Sequence, residues 1–194
     1  MPPSHRTLER IAASALAILE QEGPEAVSMR RIATAVGITP MAIYHYFPDR
    51  NTLLKKVTDG EFAKLASYMD AGRKRGSAES RLLGIMDYYL DYALARPRVF
   101  DYVFSQYRTD ARKFPDDFRA RRSPTMNRVA DAIAAAMRAG EIGKDDIWEV
   151  AFQLWAHVHG YVALFRAGRI ALSEKQFRQL CRRSQRRLLH GLKP

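Results

Sequence analysis

Residues 28–47, SMRRIATAVGITPMAIYHYF, predict two short helices joined by a fixed turn. Ser28 can cap the first helix, because a serine oxygen accepts a hydrogen bond from a backbone amide of the first turn. The buried face of this helix has the i, i+3, i+4, i+7 spacing and consists of Met29, Ile32, Ala33 and Val36. Gly37 permits a left-handed turn, Thr39 can cap the next helix, and Pro40 fits its first position, where no amide hydrogen is needed.

The second of these helices has one apolar face and one accessible face. Ile43 and Phe47 are expected to point inward. The opposite face carries small, flat or hydrogen-bonding side chains: Met41, Ala42, Tyr44 and His45, with Thr39 and Pro40 at the helix N-terminus. None of these residues has a carboxylate. Two helices joined by a glycine turn, the second with an acid-free outer face, indicate a helix-turn-helix whose second helix enters the major groove of double-stranded DNA.

Residues 6–54 as a whole resemble the N-terminal domain of the TetR family of bacterial transcriptional regulators. The residues that stand where the family pattern expects them are Arg6, Ile11, Ala15, Leu19, Gly23, Ser28, Met29, Ile32, Ala33, Gly37, Tyr44, Phe47, Leu53 and Leu54. The resemblance implies nine or ten helices. The first three would bind operator DNA, and the others would bind a small-molecule effector and form a homodimer.

The resemblance also implies roles for individual residues of this segment. Phosphate contacts are implied for Ser28, Thr39, Tyr44 and Arg50. Contacts with base edges are implied for Pro40, Met41 and His45. Arg50 stands where the family usually has a lysine, which keeps the charge and allows bidentate phosphate contact. Arg30 and Tyr46 are further candidates for DNA contact, although Arg30 can equally solvate its helix and Tyr46 can equally be a packing residue.

The net charge of +11 is compatible with a polyanionic partner but does not locate it. Residues 1–51 hold five basic and five acidic side chains, whereas residues 73–122 hold twelve and seven and residues 173–194 hold seven and one. The excess therefore lies outside the predicted DNA-reading segment. Binding to DNA has to depend on placed residues and not on bulk charge.

The rest of the chain has helical periodicity and no strand-length alternation of apolar and polar residues, so the predicted fold is all-α with about nine helices. Residues 1–51 are predicted to form the DNA-binding domain and residues 52–194 the ligand-binding and dimerisation domain, connected by a helix from about 49 to 72. The polar stretch 108–124 is predicted to be a mobile loop. The helix of residues 145–168 is apolar nearly all round and is predicted to be buried on all sides.

Aromatic residues are concentrated in two stretches, 88–107 and 148–165. A ligand pocket needs an apolar wall with one or two polar groups, which His159 and Tyr89 could supply. The candidate ligand-binding residues are Met86, Tyr89, Phe100, Phe104, Phe152, Trp155 and His159. A packed core is the competing interpretation of the same residues.

The string LWAHVHGYVALF, residues 154–165, resembles the Trp-His-Gly signature of one group of TetR-type C-terminal domains, with Trp155, His159 and Gly160 as its parts. His157 and His159 lie about 200° apart around a helix, so they cannot chelate one ion. No metal site is therefore predicted. No nucleophile–base pair and no glycine-rich phosphate loop is present either, so neither an enzyme nor a cofactor is expected.

The last helix begins with a predicted capping box of Ser173 and Gln176. By the resemblance, it and the helix of residues 145–168 pair with their copies in a second subunit. Outside its apolar stripe it carries Arg178, Arg182, Arg183, Arg186 and Arg187. These arginines can solvate the helix, bind a membrane surface, or pair with Asp145, Asp146 and Glu149 across a subunit interface. Solvation is favoured and no membrane partner is predicted.

The predicted function is a homodimeric repressor that leaves its operator when a small apolar or aromatic molecule binds. A regulator that senses a partner protein, or an activator without an inducer, stays open as the alternative. The sequence MPPSHRTLER at the start lacks the apolar stretch of a secretory signal, and Cys181 is the single cysteine. A cytoplasmic location is therefore expected.

Overall fold

The computed structural model describes residues 4–71 and 76–193, and within these ranges it is helical and contains no strand. The ten α-helices are α1 His5–Glu22, α2 Met29–Val36, α3 Pro40–Tyr44, α4 Arg50–Ala71, α5 Ala78–Ala95, α6 Pro97–Phe100, α7 Asp116–Arg119, α8 Pro124–Arg138, α9 Ile147–Arg166 and α10 Glu174–Gly191. The predicted all-α fold is confirmed. The one helix that the sequence pattern did not reveal is α7.

The chain divides into two compact units. Unit 1 contains the residues up to Glu61 together with Ala95–Ala111, and unit 2 contains Phe62–Leu94 and the residues from Arg112 onward. The predicted boundary at residue 51 does not coincide with this division, because the first half of α4 and all of α6 belong to unit 1. The assignment of DNA binding to residues 1–51 and of ligand binding to residues 52–194 stays a prediction.

The core of unit 1 is built from the apolar faces of its first three helices. The residues that these helices bury are Ile11, Ala15, Ile18 and Leu19 of α1, Met29, Ile32, Ala33 and Val36 of α2, and Ile43 of α3. Phe47 is 4% exposed, as its helical spacing predicts. Arg10 of α1 donates from Nη2 to the carbonyl oxygen of Val36 at 2.7 Å, which ties α1 to the end of α2.

An ion-pair network joins α1, α4 and the start of α6 within unit 1. The Arg96 guanidinium donates from Nη1 to Glu61 and from Nε to Glu20 Oε1, the latter at 2.8 Å. Arg98 donates to the carbonyl oxygen of Gln21 at 2.7 Å. Glu61 is only 4% exposed, so Arg96 compensates the charge of a carboxylate that is shielded from water.

Val99, Phe100, Val103, Phe104 and Tyr107 have helical spacing, which predicts one helix that begins at Pro97 and includes Tyr107, but the helix is shorter than this pattern. After α6 the chain continues through a π-type turn, Asp101–Ser105, and becomes extended at Gln106. Tyr107, which was expected on the inward stripe, is 91% exposed. The prediction is wrong at this residue because a helical period no longer applies once the helix has ended.

Unit 2 buries its apolar residues between α5, α8, α9 and α10. The capping box of α10 is confirmed, since Ser173 and Gln176 exchange hydrogen bonds between side chains and backbone. Phe177 stacks on Phe165 of α9 with ring centroids 4.0 Å apart. These contacts fix the register of α10 against α9.

The arginines of α10 pair mainly with α5. The three ion pairs between these helices are Arg178–Asp91, Arg182–Asp87 and Arg186–Glu79, with N–O distances of 2.5, 3.3 and 3.3 Å. Simple solvation, the favoured interpretation, is therefore wrong for these three. Asp146 is paired with Arg119 at 2.7 Å inside unit 2.

The stretch 112–124, predicted as part of a mobile loop, is held by specific contacts within unit 2. The Lys113 amide donates to Asp117 Oδ2 at 2.8 Å, and Arg112 Nε donates to the carbonyl oxygen of Arg122 at 2.7 Å. Phe118 in α7 is buried. The loop prediction is wrong here because α7 and these hydrogen bonds between side chains and backbone give the stretch a defined conformation.

Helix α9 is not buried on all sides in this chain. It buries one face formed by Val150, Ala151, Leu154, Val158 and Val162. Gln153, Ala156, Ala163 and Leu164 are exposed, the last at 49%. The prediction of complete burial is therefore wrong for a single chain, because the described elements of unit 2 leave this second face uncovered.

No helix among the described residues combines the length and the apolar character needed to cross a membrane.

Candidate functional site

Local hydrogen bonds determine how α2 and α3 begin and how the chain turns between them. Ser28 Oγ accepts from the Arg31 amide at 3.3 Å, and Thr39 Oγ1 accepts from the Ala42 amide at 3.1 Å. Gly37 has φ 76° and ψ 37°, the left-handed conformation that the turn was predicted to need. These two caps and the glycine orient α3 on the buried anchor Ile43.

The residues predicted to contact DNA lie on the accessible side of this motif. Ser28, Arg30, Thr39, Pro40 and His45 are exposed, together with Met41 at 73% and Tyr44 at 51%. Tyr46 is half-buried. Helix α3 ends at Tyr44, so His45 and Tyr46 lie in the turn that follows it. Met41 and Tyr44 are three residues apart, so they lie next to each other on the exposed face of α3.

The charge of this segment favours a polyanion. Residues 26–48 contain Arg30 and Arg31 and no aspartate or glutamate. Arg31 is paired with Glu22 of α1, with Nη1 and Oε2 2.8 Å apart. Glu22 therefore compensates the charge of Arg31 and is not part of α3. The exposed face of α3 therefore carries nothing that repels a phosphate backbone.

Arg50 has structural contacts that the sequence pattern did not reveal. Its Nε donates to the carbonyl oxygen of Val27 at 2.8 Å, and its Nη2 donates to that of Pro24. The arginine thus connects the start of α4 to the turn before α2. Phosphate contact by Arg50 stays a prediction, and any such contact shares the guanidinium with these carbonyls.

A second group of predicted residues meets in unit 2 around the hydroxyl of Tyr89. Trp155 Nε1 donates to Tyr89 Oη at 3.1 Å, and Tyr89 Oη lies 2.8 Å from His159 Nδ1. Burial raises the pKa of Tyr89 well above its usual value, so the phenol is neutral and can donate its proton to the histidine. Met86, one turn earlier on α5, is also buried.

Two phenylalanines that the sequence analysis missed complete this aromatic cluster. Phe114 lies against Phe152 with ring centroids 4.6 Å apart, and Phe118 lies 6.4 Å from Trp155. Phe152 and Trp155 are themselves 5.4 Å apart. The only sequence signal was the pair of aromatic residues, four apart, within an otherwise polar stretch.

The remaining two candidates for ligand binding are described within unit 1. Phe100 and Phe104 belong to unit 1, where their ring centroids are 5.1 Å apart and Phe100 is 1% exposed. The other five candidates belong to unit 2. Within unit 2, the structure brings together Tyr89, Phe152, Trp155 and His159.

The two neighbouring histidines of α9 point to different partners. His157 Nε2 is 2.8 Å from Ser184 Oγ of α10, whereas His159 contacts Tyr89 of α5. In residues 4–71 and 76–193, no three side chains of histidine, cysteine, aspartate or glutamate converge in a way that could hold a metal ion.

Replacing Tyr89 by phenylalanine is expected to lower the free energy of unfolding by about 1–3 kcal/mol, because Trp155 and His159 both lose a hydrogen bond in a buried setting. Urea unfolding followed by circular dichroism measures the effect. Tyr88→Phe is the matched control, since Tyr88 is only half-buried. Equal losses for the two variants would show that the Tyr89 hydroxyl has no structural role.

Two family profiles match separate segments of the chain. The family profile described as "Bacterial regulatory proteins, tetR family" matches residues 11–57, and the profile described as "Tetracyclin repressor-like, C-terminal domain" matches residues 82–188. The chain is 28% identical over 138 residues to the HTH-type transcriptional repressor KstR of Mycobacterium tuberculosis, covering 71% of this chain and 61% of that protein. It is 28% identical over 79 residues to the nucleoid occlusion factor SlmA of Glaesserella parasuis, covering 41% of this chain and 39% of that protein. The alignments thus span less than two thirds of either relative.

Solved structures share the fold over nearly the whole chain. A protein of unknown function from Rhodococcus sp. RHA1 has a TM-score of 0.81 at 20% identity, with both chains fully covered. The flavonoid-responsive regulator FrrA has a TM-score of 0.66 at 22% identity, with 98% of this chain and 99% of that chain covered. RolR in complex with resorcinol has a TM-score of 0.68 at 16% identity, with coverage of 97% and 95%.

The profile of the C-terminal domain alone matches more than half of the residues, and the N-terminal profile matches the helix-turn-helix. The chain belongs to the TetR family of bacterial transcriptional regulators, which are not enzymes.

Proposed function

We propose that the protein is a homodimeric transcriptional repressor that binds double-stranded operator DNA and dissociates from it when a small apolar or aromatic effector binds. The observation that carries this proposal is the exposed, acid-free face of α3, held by the Thr39 cap and the Gly37 turn. The name of the relative KstR, a transcriptional repressor, supports the direction of regulation. Such a regulator acts on the chromosome and therefore in the cytoplasm.

The exposed residues of the helix-turn-helix form two groups, one suited to contact phosphates and one suited to contact bases. The hydroxyls of Ser28, Thr39 and Tyr44 and the guanidinium of Arg30 suit phosphate oxygens, which fix the position of the protein without reading sequence. Met41 cannot donate a hydrogen bond, so its base contact is apolar, and a thymine methyl is the matching group. His45 can hydrogen-bond a base edge. Because direct donors are few, DNA shape contributes a large share of the specificity.

The dimer interface is proposed on α9 and α10. The uncovered face of α9 carries Ala156, Ala163 and the 49%-exposed Leu164, with Gly160 on the same stripe. Small residues allow close approach of a second helix, and a contiguous exposed apolar surface marks an interaction site. A second copy of the chain, with its own α9 and α10, is the proposed partner.

The effector site is proposed at the aromatic cluster of unit 2. Tyr89 and His159 supply polar groups beside the rings of Phe152 and Trp155, which suits an aromatic molecule with hydrogen-bonding substituents. Two fold neighbours support this class of compound, since one is described as responsive to flavonoids and the other as a complex with resorcinol. Helix α4 belongs to both units, so a shift of its second half on ligand binding would move its first half.

Selection from random double-stranded DNA by the purified full-length protein tests the proposed function. We expect enrichment of an inverted repeat whose half-sites are separated by about 34–36 Å, the distance between successive major grooves. A pool that gains no common sequence after repeated rounds would contradict the proposal. Native mass spectrometry of the same preparation measures the dimer.

A further inference from the structure

Helix α5 presents to the outside a face that the aromatic cluster does not use. Arg81, Gly84, Ile85 and Tyr88 recur at i, i+3, i+4 and i+7 and so share one side of the helix. Together with residues of α4 and α8, this face encloses an open groove of about 590 Å³ within unit 2. The volume falls in the range of about 300–1,000 Å³ in which ligand sites are usually found.

The floor of the groove is apolar and made partly of small side chains. Met69 and Ile85 are buried, while Ala132 and Ala135 of α8 are half-buried. A side chain at Gly84 would meet no atom within 4 Å, so the groove is open directly above this glycine. A flat hydrocarbon surface of one or two rings can therefore rest on the floor without displacing protein atoms.

The charged residues that line the groove differ in their partners. Asp70 is held by Arg128, with Oδ2 and Nη2 2.7 Å apart, and Asp131 is held by Arg121 at 2.9 Å. Arg81 donates from Nη1 to the carbonyl oxygen of Gly76 at 2.7 Å, which is an uncharged partner. Among the described lining residues, Arg81 is thus the cation whose hydrogen bond goes to a neutral acceptor.

We propose that this groove binds a small aromatic acid, with its rings over Gly84 and Ile85 and its carboxylate or sulfonate at Arg81. A cationic ligand would be repelled by Arg81, and a purely apolar one would leave the charge of the arginine unused. The site is separate from the proposed effector cluster around Tyr89, and binding to it does not require DNA. It therefore goes beyond the proposed function.

Two fluorescent probes with the same ring system test the site and the ligand class. The probes are 1-anilinonaphthalene-8-sulfonate, which carries an acid, and N-phenyl-1-naphthylamine, which does not. Gly84→Leu fills the groove from α5 and Ala132→Leu fills it from α8. Both are expected to weaken binding of the sulfonate probe to the full-length protein at least about tenfold, which corresponds to about 1.4 kcal/mol.

Gly60→Leu is the matched control, because Gly60 is also inside a helix, is exposed, and has no atom within 4 Å of the added Cβ. It should leave the affinity for both probes unchanged. Arg81→Gln should weaken the sulfonate probe about tenfold and leave the neutral probe unchanged, since only the former makes a charge-assisted hydrogen bond.

The groove is the wrong site if both filling variants bind the sulfonate probe as tightly as the wild type, or if Gly60→Leu loses as much affinity. The acid class is wrong if Arg81→Gln weakens the two probes equally. Thermal unfolding by circular dichroism identifies any variant that has lost its fold. The probe titrations contain no DNA, so their outcome is independent of the operator selection that tests the proposed function.

Discussion

Replacing Arg96 by alanine is expected to lower the free energy of unfolding by about 3 kcal/mol or more, the largest loss expected for any single ion-pair residue of unit 1. Glu61 is 4% exposed and the Arg96 side chain 16% exposed, so the pair is shielded from water. Removing one member of a buried ion pair costs about 3–5 kcal/mol, because the other charge stays behind without its compensation. The replacement also removes the hydrogen bond from Arg96 to Glu20.

Urea unfolding at neutral pH checks this value, with Arg98→Ala as the matched control. Arg98 is exposed and donates to the backbone carbonyls of Glu20 and Gln21, so no carboxylate loses its partner when it is removed. The control should cost less than about 1.5 kcal/mol, the usual net value of such a hydrogen bond. If the two variants lost equal stability, the Arg96–Glu61 pair would not be the structural link between α4 and α6 that its burial indicates.

Replacing Tyr44 by phenylalanine is expected to weaken binding to the selected operator about ten- to a hundredfold. A hydrogen bond to a charged group contributes about 1.5–3 kcal/mol, and Tyr44 is 51% exposed on the face that is proposed to meet a phosphate. Because a phosphate contact carries no sequence information, the loss should be the same for the operator and for its single-base variants.

Fluorescence anisotropy at fixed salt measures this effect, and Tyr68→Phe is the control. Tyr68 is 48% exposed on α4, far along the sequence from the helix-turn-helix, and its change should leave DNA affinity as it is. A Tyr44→Phe protein that binds as the wild type does would refute the phosphate contact. One that changes its base preference would show that Tyr44 reads a base edge instead.

Features determined by neighbouring residues were predictable from the sequence. Ser28 and Thr39 cap their helices, and Gly37 adopts the left-handed turn, because each needs only residues within one helical turn. The inward positions of Ile43 and Phe47 follow from helical spacing alone. The helix-turn-helix and most helix boundaries therefore agree with the structure.

Contacts between distant parts of the chain could not be predicted. Arg50 reaches backbone carbonyls 23 and 26 positions away, and a carbonyl leaves no trace in the sequence. Phe114 and Phe118 looked like isolated aromatics in a polar stretch, yet they pack on Phe152 of α9. In each case the side chain is ordinary, and its partner is determined by the path of the backbone.

The net charge of +11 also could not be interpreted without knowing which basic residues are paired. Its excess lies partly on α10, where Arg178, Arg182 and Arg186 pair with acidic residues of α5. Arg183 and Arg187 are exposed on the same helix. These two are the arginines of α10 best placed to act through long-range attraction on DNA, and such attraction changes association rates more than sequence preference.

The central claim is that the outer face of α3, together with His45 directly after it, reads the operator. The most direct measurement compares wild-type, Met41→Ala and His45→Ala proteins on the selected operator and on every single-base variant of one half-site. We predict that each replacement flattens the preference at one or two positions, by about 1–3 kcal/mol, and leaves the other positions unchanged. Equal weakening at all positions, or no change at any, would contradict the account and place sequence reading outside α3 and the residue that follows it.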